Sequence, residues 1–300
     1  MSKDWTKIRA KVKDFIETEI YPKETKLSEG TPESRELLGS LMQLAKDEKI
    51  WALGHPEDIG GGGMPFMEYV YVNEVIGRSS FAMVALGTHS LQDSIMLREF
   101  ASDHWRNLYL EPLVQGEIFP SFGMTEPDVA SSDPTQLQTT AILDNGTWKI
   151  NGRKWFTTGA ARAAYTTVMC RTELDAPSHG AFSMIIVPTD NPGYKIVRET
   201  PVLGINGGHY EVEYDNVEVP EENLLGPRGQ GFIIAQRRLG PGRIFHCMRW
   251  LGQAQRAFDL LCARMHERET FGTPLTKKQL LQKFVFDSAC EIQASRQLTL

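Results

Sequence analysis

Long apolar runs are missing from this sequence of 300 residues. Its most apolar stretches, such as residues 182–187, are far shorter than the roughly 20 residues that a helix needs to cross a bilayer. The charged N-terminus is not followed by the apolar block that a secretory signal peptide requires. We therefore expect neither a membrane span nor a signal peptide.

Cysteines are also few. The four stand at Cys170, Cys247, Cys262 and Cys290, and no two of them form a CxxC pair. This spacing excludes a zinc knuckle and a thioredoxin-like motif. Scattered thiols are typical of a reducing compartment, so we expect a cytoplasmic location.

A dense stripe of lysine and arginine is the third missing feature. Acidic residues outnumber basic ones by 38 to 32, which gives a net charge of −6 and disfavours nucleic acid as a partner. Neither a GxSxG elbow nor an HExxH motif occurs, so a hydrolase or a metalloenzyme would lack its characteristic parts. We predict no metal site.

The spacing of the apolar residues that are present changes twice along the chain. Up to Ile118 they recur every three to four positions, which predicts helices, among them residues 81–97 and 104–114. A period of two then predicts strands as far as Pro220, and helical spacing returns up to a last helix at residues 277–300. An α+β fold follows from this order.

Three domains are predicted by these changes of period. They are an N-terminal helical domain at residues 1–117, a middle antiparallel β-domain at residues 118–226 and a C-terminal helical domain at residues 227–300. No glycine, proline or capping residue closes the last helix, so we expect the C-terminal bundle to be incomplete.

Turn signals divide the middle domain into short strands. Asn145-Gly146 and Asn151-Gly152 predict two consecutive hairpin turns, because Asn-Gly suits the positive φ angles of a tight hairpin. Further along, Asp215-Asn216 predicts a turn that interrupts the alternation of residues 212–219.

Hydroxyl groups are concentrated in residues 122–133, where predicted helices give way to predicted strands. Thr125, Ser131 and Ser132 could donate hydrogen bonds to a carbonyl-rich ring or a phosphate, and large ligands often bind at domain junctions. Residues 155–159 add an aromatic wall and further hydroxyl groups, which a flat ring requires. The residues alone leave a ligand site and a plain surface loop both open.

Four motifs, in a fixed order along the chain, carry a resemblance to a known family. They are Met124-Thr125-Glu126-Pro127 with Ser131-Ser132-Asp133, then Trp155-Phe156-Thr157, then residues 217–232, and finally residues 268–272 with Gln279. This set resembles the acyl-CoA dehydrogenase family of flavoproteins over essentially the whole chain. Residues 238–249 are similar to the subgroup of family members ten and eleven.

The resemblance implies a fold, a cofactor and a reaction. The implied fold is again helical, then β, then helical. The implied cofactor is FAD, and the implied reaction is α,β-dehydrogenation of a long or branched acyl-CoA thioester to the trans-2-enoyl-CoA, as in fatty acid β-oxidation. The implied partners are an electron-transfer flavoprotein and identical subunits in a homotetramer, a dimer of dimers. Two alternatives stay open: a flavin oxidase or monooxygenase of the same superfamily, and an acyl-CoA or flavin-binding module without a catalytic base.

Site residues are implied by the same resemblance. The residues that would cradle the flavin ring are Phe122, Met124, Thr125, Trp155 and Thr157. One serine would lie where the flavin phosphate and the thioester meet. Both Ser131 and Ser132 are candidates for it, because this loop has one residue more than the family pattern and lacks its glycine. The residues that would reach a neighbouring subunit's flavin are Arg268, Phe271 and Gln279.

The catalytic base is not identified in this sequence. Arg243 matches an arginine that lies near the substrate, and in one branch of the family the catalytic glutamate directly precedes it. Gly242 stands at that position here. The resemblance therefore implies a base beyond Leu300.

Overall fold

The computed structural model describes residues 4–204 and 207–300. It divides into two compact units, one formed by Met1–His89 with Gly240–Leu300 and the other by Ser90–Leu239. Helices make up most of the first unit, and the second contains the large sheet. The domain boundaries predicted after residues 117 and 226 stay predictions.

The α-helices of the described residues are α1 (Trp5–Phe15), α2 (Glu24–Leu27), α3 (Pro32–Asp47), α4 (Phe66–Ile76), α5 (Ala82–Ala85), α6 (Leu91–Phe100), α7 (Asp103–Trp105), α8 (Glu111–Gln115), α9 (Gly231–Glu267) and α10 (Gln279–Thr299). The strands are β1 (Pro120–Gly123), β2 (Thr140–Asp144), β3 (Thr147–Thr158), β4 (Tyr165–Arg171), β5 (Phe182–Pro188), β6 (Tyr194–Glu199), β7 (His209–Pro220), β8 (Leu224–Leu225), β9 (Glu269–Thr270) and β10 (Thr273–Pro274). None of the helices described is both long and apolar enough to cross a membrane.

The predicted order of helices, sheet and helices is confirmed, but the helix predicted at residues 81–97 is wrong as a single element. The chain forms the short helix α5 and then leaves helical geometry at Gly87, whose φ is 66°. A Cβ atom at Gly87 would lie 2.5 Å from the ring of Trp51, so this position has no space for a side chain. The break allows the backbone to pass directly against the tryptophan.

Glycines also bring the distant parts of the helical unit together. A Cβ atom at Gly252 on α9 would lie 2.0 Å from the carbonyl oxygen of Glu74 on α4. The same glutamate accepts a hydrogen bond from Arg296 of α10, with 2.7 Å between Oε1 and the guanidinium nitrogen. Close backbone contact and a shielded ion pair therefore join α4 to both C-terminal helices.

The sheet of the second unit runs in the order β6-β7-β3-β2-β4-β5-β8, with β1 beside β4. Most neighbouring strands are antiparallel, as predicted, whereas β1 and β2 each pair with β4 in parallel. Alternating side chains of these strands form one buried apolar cluster, which includes Trp148, Ile150, Val168, Val212 and Tyr214.

The hairpin turn predicted at Asn151-Gly152 is wrong, because β3 continues through it. The turn predicted at Asp215-Asn216 is also wrong: that pair lies in β7 and forms a bulge opposite Asn151. The backbone N–H of Asn216 donates to Oδ1 of Asn151 at 2.9 Å, which satisfies the extra residue. Gly152 is required on its own account, since a Cβ atom there would lie 2.4 Å from Oγ1 of Thr139.

Candidate active site

Two segments far apart in the sequence meet at the end of β1. The backbone N–H of Trp155 on β3 donates to the carbonyl of Thr125 at 3.0 Å. In return, the Thr125 hydroxyl donates to the carbonyl of Trp155 at 2.8 Å. This reciprocal pair of hydrogen bonds fixes the loop that follows β1 against the second half of β3, so two of the sequence motifs become one site.

A buried ion pair lies directly beneath this junction. Nζ of Lys154 is 2.8 Å from Oε1 of Glu126, and the exposed fraction of each residue is 3% or less. The same ammonium donates to the carbonyl of Met124 at 2.9 Å. The Glu126 carboxylate also accepts from the backbone N–H groups of Gln138 and Thr139, at 2.7 and 2.9 Å. Every bond in this set ends on the loop that follows β1 or on the segment before β2.

The ion pair changes the acidity of both of its members. Burial by itself raises the pKa of the Glu126 carboxyl, but the Lys154 charge and the amide donors outweigh burial and hold this pKa below its ordinary value. Burial lowers the pKa of the Lys154 ammonium from its ordinary value. Since each charge compensates the other, we treat the pair as ionised at neutral pH.

A second bulge moves two aromatic side chains out of the regular ladder. Lys154 pairs with Val212 and Thr157 with Tyr210, so Trp155 and Phe156 together face one residue of β7. Phe156 has a φ of 48°, which is uncommon for a bulky residue. Trp155 is half-buried, the Phe156 ring is 43% exposed, and the two ring centroids are 4.7 Å apart.

The side chains around this bulge fit a flat ring with carbonyl groups at its edge. Thr157 is fully buried, and its hydroxyl has no hydrogen-bond partner within the described residues. A buried hydroxyl normally has a partner, so this one is suited to a ligand atom. The half-open aromatic rings beside it in sequence supply an apolar surface of the kind on which a flavin packs.

Phe122 of β1 contacts a cation within the same unit. The guanidinium of Arg238 lies 4.2 Å from the centroid of the Phe122 ring. Two hydrogen bonds of 3.0 Å each hold this guanidinium on the carboxylate of Asp93. Because Asp93 fixes Arg238 against the ring, the position of Phe122 is defined by more than the sheet alone.

The two candidate serines differ in what their hydroxyl groups do. Ser131 is half-buried, and its Oγ accepts from the backbone N–H of Glu126 at 2.8 Å and donates to the Glu126 carbonyl at 3.2 Å. Ser132 is exposed. Ser131 therefore closes the loop on itself, and Ser132 presents its side chain to solvent.

The remaining candidate residues lie in the helical unit. β9 and β10 form a short hairpin, and its turn contains Phe271 with a φ of 51° and an exposed fraction of 99%. Arg268, which precedes the hairpin, and Gln279, the first residue of α10, are exposed, as is Arg243 on α9. The structure thus brings Phe122, Met124, Thr125, Ser131, Trp155 and Thr157 together around one loop, with Ser132 on the outside of that loop. It places Arg243, Arg268, Phe271 and Gln279 in the first, helical unit.

Gly242 stands at one of the positions at which the resemblance implies a catalytic base, and it has no side chain. Gly242 is buried within α9, directly after Pro241. In the part of the chain that the structure describes, no group of three or more histidine, cysteine, aspartate or glutamate side chains could hold a metal ion.

Comparison with protein families accounts for nearly the whole chain. Residues 2–117 match the model for the acyl-CoA dehydrogenase N-terminal domain, residues 121–217 match the middle domain, and residues 229–300 match the C-terminal domain. The chain belongs to the acyl-CoA dehydrogenase family. The resemblance found in the sequence motifs is confirmed.

Individual members of the acyl-CoA dehydrogenase family are similar at the level of sequence. The chain is 43% identical over 269 residues to FadE2 of Mycobacterium tuberculosis, named a probable acyl-CoA dehydrogenase, with 87% of this chain and 65% of that protein covered. It is 36% identical over 317 residues to acyl-CoA dehydrogenase family member 11 of Gallus gallus, with 100% and 40% covered. The chain therefore spans less than two thirds of the length of either relative.

A solved structure of the family shows the same fold. The structure of a glutaryl-coenzyme A dehydrogenase in complex with glutaryl-CoA has a TM-score of 0.86 and is 27% identical, and the match covers 100% of this chain and 75% of that one. This similarity includes the helical segments as well as the sheet.

Sequence reasoning missed Lys154 as a site residue and gave Glu126 no role of its own. Alternation through Trp148, Ile150 and Gly152 places position 154 on the inner face of β3, but the turn predicted at Asn151-Gly152 interrupted that pattern. A charged residue at an inner position requires a partner of opposite charge, and Glu126 is that partner.

Proposed function

We propose that this chain carries out FAD-dependent α,β-dehydrogenation of an acyl-CoA thioester and yields the trans-2-enoyl-CoA. Family membership over all three domains supports the reaction class. The observation that carries the proposal is the site on β3, where half-open rings at Trp155 and Phe156 precede the buried, unpartnered hydroxyl of Thr157. Buried hydroxyl groups are usually hydrogen-bonded, so a ligand atom at this position would satisfy the Thr157 hydroxyl.

The proposal assigns FAD to the loop after β1 and the end of β3. Its isoalloxazine ring would be held by Phe122, Met124, Thr125, Trp155 and Thr157, with Ser131 or Ser132 toward its phosphates. When bound, FAD supplies the chemistry of accepting a hydride from the substrate. The reciprocal bonds between Thr125 and Trp155 hold the two walls of this site at a fixed separation.

The chain's own residues would act on the substrate through charge. Removing the α-proton of a thioester develops negative charge on its oxygen, and a fixed positive group stabilises that charge. Arg243 is the candidate for this electrostatic role near the substrate. Gly242 has no side chain and cannot act as the base, so the base must come from another residue.

The substrate and partners are part of the same proposal. We assign a long or branched acyl chain, an electron-transfer flavoprotein as electron acceptor, and a homo-oligomer in which Arg268, Phe271 and Gln279 contact the FAD of a neighbouring copy. Phe271 supports the last assignment, because a phenylalanine that is 99% exposed at the tip of a hairpin is costly in water.

The deciding experiment is spectroscopic. The purified chain, reconstituted with FAD, should be yellow, and anaerobic addition of long-chain or branched acyl-CoA thioesters should bleach the flavin band. Arg243→Ala should lower the rate of bleaching much more than it lowers FAD content. Bleaching that requires a non-thioester substrate and oxygen turnover would point to an oxidase, and bound FAD that no acyl-CoA reduces would point to a binding module. Absence of any FAD binding contradicts the dehydrogenase and the oxidase, and leaves only a module that binds acyl-CoA.

A further inference from the structure

The Glu126–Lys154 ion pair, which we call the clamp, makes more directed contacts than an ion pair needs for its own charge balance. Lys154 donates to the Glu126 carboxylate and to the carbonyl of Met124. Glu126 accepts from two further backbone N–H groups, and its own N–H donates to Ser131. The bonds at the Met124 carbonyl and at the Glu126 N–H act directly on the backbone of the loop after β1, which carries candidate FAD contacts.

We propose that the clamp is a positioning device for FAD: it fixes the loop at Met124–Glu126 to β3 so that Thr125, Trp155 and Thr157 keep their binding geometry. The inference rests on the proposed function. Neither charged group is assigned contact with FAD, so Glu126 and Lys154 are positioning residues and not catalytic residues.

Stability alone is a weak reason for placing two charges here. Replacing a buried ion pair with apolar residues of similar volume is often neutral or stabilising, because the charges must lose their hydration. An apolar pair cannot form directed hydrogen bonds. Lys154 donates one to the Met124 carbonyl at 2.9 Å, and the bulge at Trp155 follows Lys154 directly in β3. Directed bonds of this kind hold binding groups within the narrow tolerance that a ligand site needs.

The same strand offers a matched control. Lys149 is also on β3, and its Nζ lies 3.9 Å from Glu218 on β7, but the side chains of this pair are 46% and 61% exposed. Changing this surface pair removes the same residue types from the same strand without touching the loop. We therefore compare Glu126→Gln with Lys154→Met as one double variant against Glu218→Gln with Lys149→Met as the other.

The experiment measures FAD affinity, the reduction potential of bound FAD and the melting temperature of the FAD-free protein. The clamp double variant leaves no unpaired buried charge, so we expect a melting temperature near that of the control. We expect its FAD affinity to fall by about tenfold or more, which is the effect of losing hydrogen bonds to charged groups, and its reduction potential to shift. An affinity and a potential equal to those of the control would overturn the proposal.

Two further arms keep the test decisive. Should the double variant fail to fold, Lys154→Arg preserves the charge but moves its donors, and FAD affinity equal to that of the unmodified chain would count against the clamp. Should the unmodified chain bind no FAD, the proposed function fails and the clamp is judged by hydrogen exchange at the Trp155 amide. Faster exchange in the double variant supports the clamp, and unchanged exchange overturns it.

Discussion

The two segments expected to contact FAD, residues 155–157 on β3 and residues 268–272 before and within the β9–β10 hairpin, differ in how far the chain itself fixes them. The first is bonded to Thr125 and lies above a buried ion pair. The second ends in a two-residue turn that leaves Phe271 almost completely in solvent. The fold therefore fixes residues 155–157, which with the loop after β1 form what we call the prepared wall of the proposed site. In the proposed assembly, residues 268–272 would be fixed by a neighbouring copy.

The largest loss of stability should come from removing one charge of the buried ion pair in the prepared wall. Glu126→Ala leaves Lys154 buried without a compensating charge, which should lower the free energy of unfolding by about 3–5 kcal/mol. Urea denaturation of the FAD-free protein measures this loss. Glu218→Ala, which removes a carboxylate that is 61% exposed, is the control and should cost at most about 1 kcal/mol. Equal losses in the two variants would contradict the contrast between buried and exposed pairs.

Removing a ring from the prepared wall should act on the ligand more than on the fold. Trp155→Ala takes away a half-buried aromatic surface, so FAD affinity should fall by roughly ten- to hundredfold. Fluorescence of released FAD measures the affinity, and the melting temperature of the FAD-free protein serves as the control. Unaltered FAD occupancy would show that Trp155 is not a contact.

The stability that Glu126 contributes should depend on pH. The folded-state pKa of Glu126 lies below its ordinary value, so its ionised form adds stability above about pH 4.5 that is lost as the pH falls through the folded-state value. The difference in unfolding free energy between the unmodified chain and Glu126→Gln should therefore be largest near neutrality and should narrow in acid. A difference that stays constant from pH 7 to pH 3 would argue against an ionised Glu126.

The smallest effect on stability should come from the exposed hairpin. Phe271→Ala removes a side chain with almost no buried surface, so the free energy of unfolding should change by less than about 0.5 kcal/mol. Sedimentation velocity of the same variant should show weaker self-association, because the apolar contact is lost. A large loss of stability without a change of association would mean that Phe271 serves its own unit.

Periodicity was sufficient to predict the fold, whereas turn chemistry was not. Asn145-Gly146 forms the expected hairpin between β2 and β3, with positive φ at both residues. The same dipeptide at Asn151-Gly152 lies inside a strand, because the Asn151 side chain satisfies the bulge at Asn216 across the sheet. The Asn-Gly dipeptide carries no information about Asn216, which lies 65 positions further along the chain.

The site shows the same division between local and distant information. Hydroxyl and aromatic residues marked the loop after β1 and the end of β3 as candidates. The ion pair that joins them depends on two residues 28 positions apart, and no short motif encodes their contact. The inward direction of Lys154 calls for a partner of opposite charge, but that direction follows only once β3 is known to continue through Gly152.

The bulge at Trp155 and Phe156 shifts the inward-facing positions of β3 from even-numbered to odd-numbered residues. Before it the buried positions of β3 are even-numbered, and after it Thr157 is buried. Deleting either aromatic residue would restore strict alternation with Thr157 still facing inward, because one residue would then separate it from the buried Lys154. Among descendants of a common ancestor, the loss of one codon here would thus be absorbed by the bulge, and Lys154 and Thr157 would keep their places inside the sheet.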